Sequence, residues 1–543
     1  MGEPSRRGFE IPGGWPLGSA LAAVFLGAID LTVISTVLPR MVTDLQINTA
    51  DIDRYIWVVN AYLLAYIIAI PVVGRVSDLL GRGIAFQGAL ALFMAGSVWA
   101  GLSDNLGHLI VARAVQGAGG GALLPVTMAL VGDLMPPGRR IATLGVVGAV
   151  DTLGWVLGPI WGALIVGILA ASFEPWRWVF WINVPVSFVV SIVIARRIGF
   201  RRPASSADRS EGRLDVLGAL LLGSSLLLLN LGLSSGGEVG VTAGSAMRAL
   251  GGTRNPLATH LALLLSSGGA LLILFILWQR KTRHPLLPLS LFRQRAFSAA
   301  LAANFIAGAA LIVAMVDIPV VVALLVDQDR ISVVSAALLA PFTLVMAATS
   351  FTGGIIASRF GERRTAAVGL TMVFLGYAAL WIGLRGDHYL RMIPGLILAG
   401  AGFGLAVAPI GASAIDSAPA KDRGIAAATT ILFRLLGMTM SISALTAFGI
   451  SRLQTLSEQV PSISRQPEES TAQFLVRQSD YIQNVAIPLS VRVVRDTFLL
   501  AGLIAALALI PVALMTARSS PPSEPDDPAP ADAAIRQPMV SDS

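Results

Sequence analysis

The chain is a succession of long apolar runs separated by short polar breaks. Windows bounded by Gly, Pro or charge fall at about 17–38, 55–74, 84–103, 108–131, 142–169, 178–198, 215–233, 258–278, 297–325, 331–357, 366–384, 390–415, 425–451 and 496–516. A helix needs about 20 such residues to cross a hydrocarbon core, so the pattern predicts fourteen membrane-spanning helices, an even count that puts both chain ends on one side. The first run is longer than a signal-peptide core and ends at Leu38-Pro39-Arg40 without a small-residue cleavage pattern, and it is expected to remain as a span.

Two segments depart from this rhythm. Residues 452–495 are polar and amphipathic (Leu453, Leu456, Val460, then Phe474, Leu475, Tyr481, Ile482, Val485) and fall on the outer side. They read either as a tolerated insertion or as helical extensions that project from the membrane and guide a partner or an apolar substrate. The tail from Ser519, with Pro521-Pro522 and Asp526-Asp527-Pro528, lacks apolar periodicity and is expected to be disordered.

Composition narrows the class. Of 543 residues 55% are hydrophobic and 13% charged, and the mean hydropathy is +0.74, values that exclude disorder and a string of ordinary globular domains. A net charge of +7 raises the question of nucleic acid. Lys281 and Lys421 are the only lysines, however, and the arginines sit in short loops between apolar runs, as membrane topology requires and a nucleic-acid stripe does not. The two richest basic segments, 196–213 and 279–295, fall on the N-terminal side, which makes that side cytoplasmic in a bacterial inner membrane. The absence of cysteine excludes disulfides, thiolate metal sites and thiol catalysis. None of His108, His260, His284 and His388 lies mid-run, and no Walker-type loop appears, so neither a histidine relay nor ATP hydrolysis is expected. Trp57, Trp176, Trp178 and Trp181 read as interfacial anchors, with Trp155 set apart as a cavity candidate.

An internal repeat sets the architecture. Gly74-Arg-Val-Ser-Asp78-Leu-Leu-Gly81-Arg82 recurs as Gly354-Ile-Ile-Ala-Ser358-Arg359-Phe-Gly361-Glu362-Arg363-Arg364, and Gly117-Ala-Gly119-Gly-Gly121 recurs as Gly400-Ala-Gly402-Phe-Gly404. One six-span unit therefore occurs twice in parallel, with the runs at 215–233 and 258–278 inserted between the copies. The expected division is an N-terminal bundle (1–198), a two-helix insert (199–296), a C-terminal bundle (297–518) carrying the extension 452–495, and a tail (519–543). Parallel repeats of this kind belong to transporters whose halves rock about a site near the bilayer midplane.

These motifs also carry a family resemblance. Gly74-x-x-x-Asp78-x-x-Gly81-Arg82, Arg113-x-x-Gln116-Gly117-x-Gly119, the set Gly145, Gly154, Gly158, Pro159 and Gly162, and Asp30-Leu-Thr32-Val33 with Leu38-Pro39 occur in order on the expected spans. Over roughly residues 15–516 the chain resembles the major facilitator superfamily, and within it the fourteen-span drug:proton antiporter branch. Leu79 and Gly83 stand where a basic residue is usual. The resemblance implies an all-α membrane fold, proton-driven export of lipophilic or amphiphilic compounds by alternating access, no cofactor beyond the proton gradient, and a role for the fourth-span motif in proton coupling. The extension 452–495 and Arg434-Leu-Leu-Gly437-Met also resemble mycobacterial lipid-exporting members, which keeps lipid export as the alternative to multidrug efflux and an external periplasmic or lipoprotein partner in view. A monomer in the bilayer is expected, and no enzyme activity.

Charges inside spans point to the working parts, because an ionisable group at the bilayer centre is costly and faces a cavity or a partner. Asp30, about 22 Å along its helix from the cytoplasmic end at 1.5 Å per residue, can pair with Arg113. The pair, with Asp317, forms the proton-coupling set. Asp151 and Arg434 occupy equivalent repeat positions with opposite charge and are expected to close an inner gate across the pseudo-twofold axis. Asp78, Arg82, Arg359 and Arg363 make up the charged cytoplasmic turns that hold that side shut.

Overall fold

The computed structural model describes residues 14–47, 52–135, 137–169, 174–197, 215–235, 259–282, 285–287, 289–327, 330–384, 388–418, 423–460 and 469–515. The tail from Ser519, most of the basic segment 196–213 and the middle of the extension lie outside the described residues.

Every regular element among the described residues is helical. The long helices are α1 (Gly14–Asp44), α2 (Trp57–Leu80), α3 (Arg82–Gly101), α4 (Leu106–Leu134), α5 (Pro137–Ile168), α6 (Asn183–Arg197), α7 (Val216–Ser235) and α8 (Leu261–Lys281), followed by α9 (Arg295–Leu325), α10 (Ile331–Phe360), α11 (Glu362–Gly383), α12 (Ile393–Asp416), α13 (Arg423–Ser457) and α14 (Ile487–Leu507). Among the described residues, twelve stretches are long and apolar enough to cross a membrane. α5 adds a thirteenth if its two arms, Val146–Trp155 and Leu157–Ile168, bent by 45°, count as one crossing, and Trp57–Val73 is a shorter apolar helix. The protein is thus a multi-pass, all-helical membrane protein of about twelve spans, against the fourteen expected from the apolar windows.

Several helices outrun their apolar windows, because helix propagation depends on backbone hydrogen bonding and not on hydropathy. α1 and α9 each have 31 residues, about 46 Å at 1.5 Å per residue, longer than a hydrocarbon core of about 30 Å. The last long helix starts at Ile487 and not near 496, and a short helix Leu509–Leu514 follows it. The long helix is preceded without a loop by a helix Thr471–Tyr481, opened by a capping box at Ser470 and Gln473, and by a π-turn Ile482–Ala486. The described parts of the extension are therefore helical, running on from the end of α13 and leading without a loop into α14. One aromatic reading changes as well. Trp178 is exposed, but Trp176 is fully buried, edge-on to Phe180 at 6.2 Å, and belongs to the core and not to an interfacial belt.

The repeat is visible in the packing. α1 lies on α5 as α9 lies on α13, α2 on α4 as α10 on α12, α3 on α4 as α11 on α12, and α3 on α6 as α11 on α14. The two copies meet where α2 lies against α13 and α5 against α10, and α1 also touches α9 and α10. The turns of the loop motif repeat too: Gly81 (φ 98°) and Gly361 (φ 88°) each end one helix and begin the next. The inserted helices α7 and α8 pack on each other, and α7 reaches the seam between α2 and α13. There Asn60 donates to Ser443 Oγ (3.1 Å), which donates to Asn230 Oδ1 (2.9 Å), a fully buried chain through both copies and the insert.

Candidate functional site

Asp30 on α1 is buried and fully engaged. Its Oδ2 accepts from Arg113 Nη1 (2.5 Å), and its Oδ1 accepts from Gln116 Nε2 (2.9 Å) and Asn183 Nδ2 (2.7 Å). Arg113 also donates to Gln116 Oε1 (2.7 Å), to the Asp30 carbonyl (3.3 Å) and to the Val58 carbonyl (3.3 Å), and its guanidinium lies 4.1 Å over the Tyr62 ring. Gln116 continues to Ser97 Oγ at 2.8 Å. A buried ion pair survives only when its remaining lone pairs and protons are satisfied, and here α1, α2, α3, α4 and α6 all contribute. Asn183 was not legible beforehand. It sits where the sixth apolar run breaks between the short helix Trp178–Trp181 and α6, and an amide inside an apolar run was the available signal.

A cavity of about 540 Å³ opens between the two copies on the face that carries the extension. Thr43, Tyr55, Val326, Ile331, Leu453 and Ile482 line its mouth, and Leu31, Thr32, Ile312, Val313 and Ile442 its deep end. Twelve residues of α1 separate Leu31 from Thr43, a depth of about 18 Å at 1.5 Å per residue. Its lining is overwhelmingly aliphatic, and Asp317 is the one carboxylate among the described residues that line it. Asp317 accepts from the Thr497 hydroxyl at 2.5 Å, and no salt bridge to it occurs among the described residues. It therefore does not join Asp30 and Arg113.

Beyond the deep end, Asp151 on α5 and Arg434 on α13 approach to 3.8 Å (Oδ2 to Nη2), and the Arg434 guanidinium lies 4.9 Å over the Trp155 ring. All three are buried. The pair joins the two copies, so each charge finds its partner across the axis and not within its own half. The helix that carries Asp151 and Trp155 is held to α1 by close approach. A Cβ added at Gly154, Gly158 or Gly162 would meet the carbonyls of Phe25, Ile29 and Val33 at 2.8, 2.9 and 2.9 Å, so small residues at these steps permit the contact. Gly117 plays the same part between α4 and α2, where a Cβ would collide with the backbone of Tyr62.

The turn motif is only partly in view. Arg82 donates to Ser77 Oγ at 2.6 Å, and Arg359 and Arg363 are exposed at the equivalent turn of the second copy. The side chain of Asp78 and the surroundings of Gly74 and Gly145 lie outside the described residues. No group of three or more metal-ligating side chains occurs among the described residues.

The family model of the Major Facilitator Superfamily matches residues 20–442, which is most of this repeat. The chain belongs to the major facilitator superfamily. Among curated relatives, a triacylglyceride transporter of Mycolicibacterium hassiacum is 35% identical over 460 residues, 82% of this chain and 81% of that one. The triacylglyceride transporter of Mycobacterium tuberculosis is 34% identical over 448 residues, 80% of this chain and 82% of that one. Solved structures share the fold: an inward-facing, unoccupied bacterial homologue of the human lysosomal transporter Spinster superposes with TM-score 0.59 at 14% identity, covering 94% of this chain and 98% of that one. A D-xylose–proton symporter superposes with TM-score 0.56 at 14% identity, covering 91% and 97%. This member of the superfamily is a membrane transporter.

Proposed function

We propose that this superfamily member exports a neutral lipid of the acylglycerol class, driven by proton entry, across a bacterial inner membrane. The observation that carries the reading is the aliphatic cavity, with Asp317 the single carboxylate among its described lining residues and its mouth lined by the extension residues Leu453 and Ile482. Lipid-bearing names among mycobacterial relatives at 34–35% identity support the cargo class. In this reading both termini are cytoplasmic and the extension face is outward. The bent α5 and the shorter α2 complete fourteen spans, divided into bundles 1–198 and 297–518 with the insert 199–296 between them.

The mechanism follows from which contacts are closed. With the cavity open outward, Asp151 and Arg434 lie between it and the cytoplasm and act as the inner gate. Asp78, Arg82, Arg359 and Arg363 reinforce that side. Protons enter through the outward cavity to Asp317 and exchange at Asp30, which trades the Arg113 guanidinium for a proton as the halves rock. A ligand or proton shifts such an equilibrium only by its differential affinity for the two states, and a carboxylate with an alternative cationic partner supplies that difference. The projecting helices give the cargo an apolar path out of the membrane and a surface for a periplasmic or lipoprotein acceptor.

Multidrug efflux is the second reading, favoured by Asp317 itself, since a lone carboxylate in an apolar cavity attracts a cationic amphiphile. Purified protein in liposomes under an imposed proton gradient separates the two. Export of a fluorescent acylglycerol, lost in Asp30→Asn and on deletion within 452–495, is the expected result. Transport of a cationic dye with no lipid movement overturns lipid export in favour of drug efflux.

A further inference from the structure

The two buried Asp–Arg pairs differ in a way that assigns a second role to the inner one. Arg113 meets Asp30 at 2.5 Å in a saturated network. Arg434 meets Asp151 at 3.8 Å, beyond hydrogen-bond reach. Around it three buried polar atoms, Asp151 Oδ1, Arg434 Nε and Trp155 Nε1, make no hydrogen bond of ordinary geometry to a described residue, although the Trp155 indole N–H faces the Asp151 carboxylate. Their residues are 3%, 9% and 3% exposed, and such groups in a folded protein normally have partners. The atoms belong to one cluster. Asp151 and Trp155 are one turn apart on α5, and Arg434 lies over the Trp155 ring. The cluster also adjoins the cavity floor, because Thr32, a floor residue, donates to the Trp155 carbonyl at 3.0 Å.

We infer that Trp155, Arg434 and Asp151 form the subsite that binds the polar head of the cargo when the gate parts. The donors set the chemistry. Two N–H groups, from the indole and the guanidinium, suit ester carbonyls, which only accept. The remaining acceptor, Asp151 Oδ1, suits a hydroxyl donor. An acylglycerol with one free hydroxyl satisfies all three atoms, a triacylglycerol satisfies the two donors, and an ether analogue without carbonyls satisfies neither donor. The subsite rests on the lipid-export reading and adds to it the atoms that select the head group.

Binding of three chain-matched probes to the full-length protein in nanodiscs tests this: a diacylglycerol, a triacylglycerol and the corresponding triether. The expected order is diacyl, triacyl, triether, with each esterified lipid about fivefold to tenfold tighter than the ether, the size of one net hydrogen bond or somewhat more. Trp155→Phe keeps the ring under Arg434 and removes the N–H. It is expected to lower the ester-to-ether ratio about fivefold while leaving triether binding unchanged. A carbonyl-labelled triacylglycerol is expected to show its infrared band shifted to lower frequency in the wild type and less so in Trp155→Phe. Equal binding of ester and ether lipids, or no effect of Trp155→Phe on ratio and band, overturns the subsite and leaves lipid export standing. Failure of all three probes to bind overturns both.

Discussion

The Thr32 hydroxyl donates to the Trp155 carbonyl, 3.0 Å away on the neighbouring helix. Trp155 lies four residues before Pro159, and proline has no N–H, so this carbonyl is the one that loses its helical donor. The 45° bend between Val146–Trp155 and Leu157–Ile168 falls at the same point. A threonine on α1 thus repairs the defect that bends α5. Removing the hydroxyl leaves a buried carbonyl unpaired, at a cost of about 1–3 kcal/mol. Thr32→Val, nearly isosteric, is expected to lower the thermal midpoint in detergent, whereas Thr32→Ser is expected to stay close to wild type. Equal midpoints for the two variants would show that the carbonyl is satisfied some other way.

The Asp30–Arg113 network separates folding from transport. Deleting one partner of a buried pair strands a charge and costs about 3–5 kcal/mol, while replacing both with apolar residues is often neutral or stabilising. Arg113→Met alone is expected to reduce the yield of folded protein sharply. Asp30→Leu combined with Arg113→Met is expected to recover part of the yield and thermal midpoint, short of wild type because Gln116 and Asn183 lose their shared acceptor, but not gradient-driven transport. Recovery of transport in the double variant would sink the assignment of this pair to proton coupling.

What was legible in the sequence followed from cost and repetition. Asp30, Arg113, Asp151, Asp317 and Arg434 stand out because charge inside a span is expensive, and the 280-residue echo of the loop motif fixed the parallel architecture, down to matching turns at Gly81 and Gly361. Contacts of uncharged side chains were not legible. Asn183, the chain from Asn60 through Ser443 to Asn230, and the role of Thr32 depend on which helices end up adjacent, and a single amide or hydroxyl in an apolar run marks a candidate without identifying its partner. Trp176 was misplaced for the same reason: an aromatic near a helix end lies at the membrane interface or in the core according to what packs over it.

The paired turns offer a test of the repeat at the backbone level. Gly81 (φ 98°, ψ 149°) and Gly361 (φ 88°, ψ 146°) occupy a region that is essentially reserved for glycine, where other residues pay about 1–3 kcal/mol. Alanine at either position is expected to destabilise by that amount. Asparagine, which tolerates the left-handed helical region but not this one, is expected to give no rescue. A stable Gly361→Ala protein would mean that the second turn relaxes to another conformation and is not a copy of the first.

The Asp151–Arg434 contact is held loosely, and this bears on whether it is a gate. At 3.8 Å, with Asp151 Oδ1 and Arg434 Nε both unpaired among the described residues, the closed seam forgoes much of the stabilisation that the saturated Asp30–Arg113 network obtains. A contact that must be broken and remade in each cycle cannot be too deep, or opening would stall. Asp151→Arg and Arg434→Asp are each expected to abolish transport in liposomes, because like charges then face each other across the seam. The double exchange restores attraction with the same geometry and is expected to recover a substantial fraction of transport, with each single variant having lost tenfold or more. Each factor of ten corresponds to about 1.4 kcal/mol, well within the range of a buried charge pair. Failure of the double exchange, in protein that folds and inserts normally, would count against a direct pair across the seam and would leave the inner closure to the charged turns around Arg82 and Arg359.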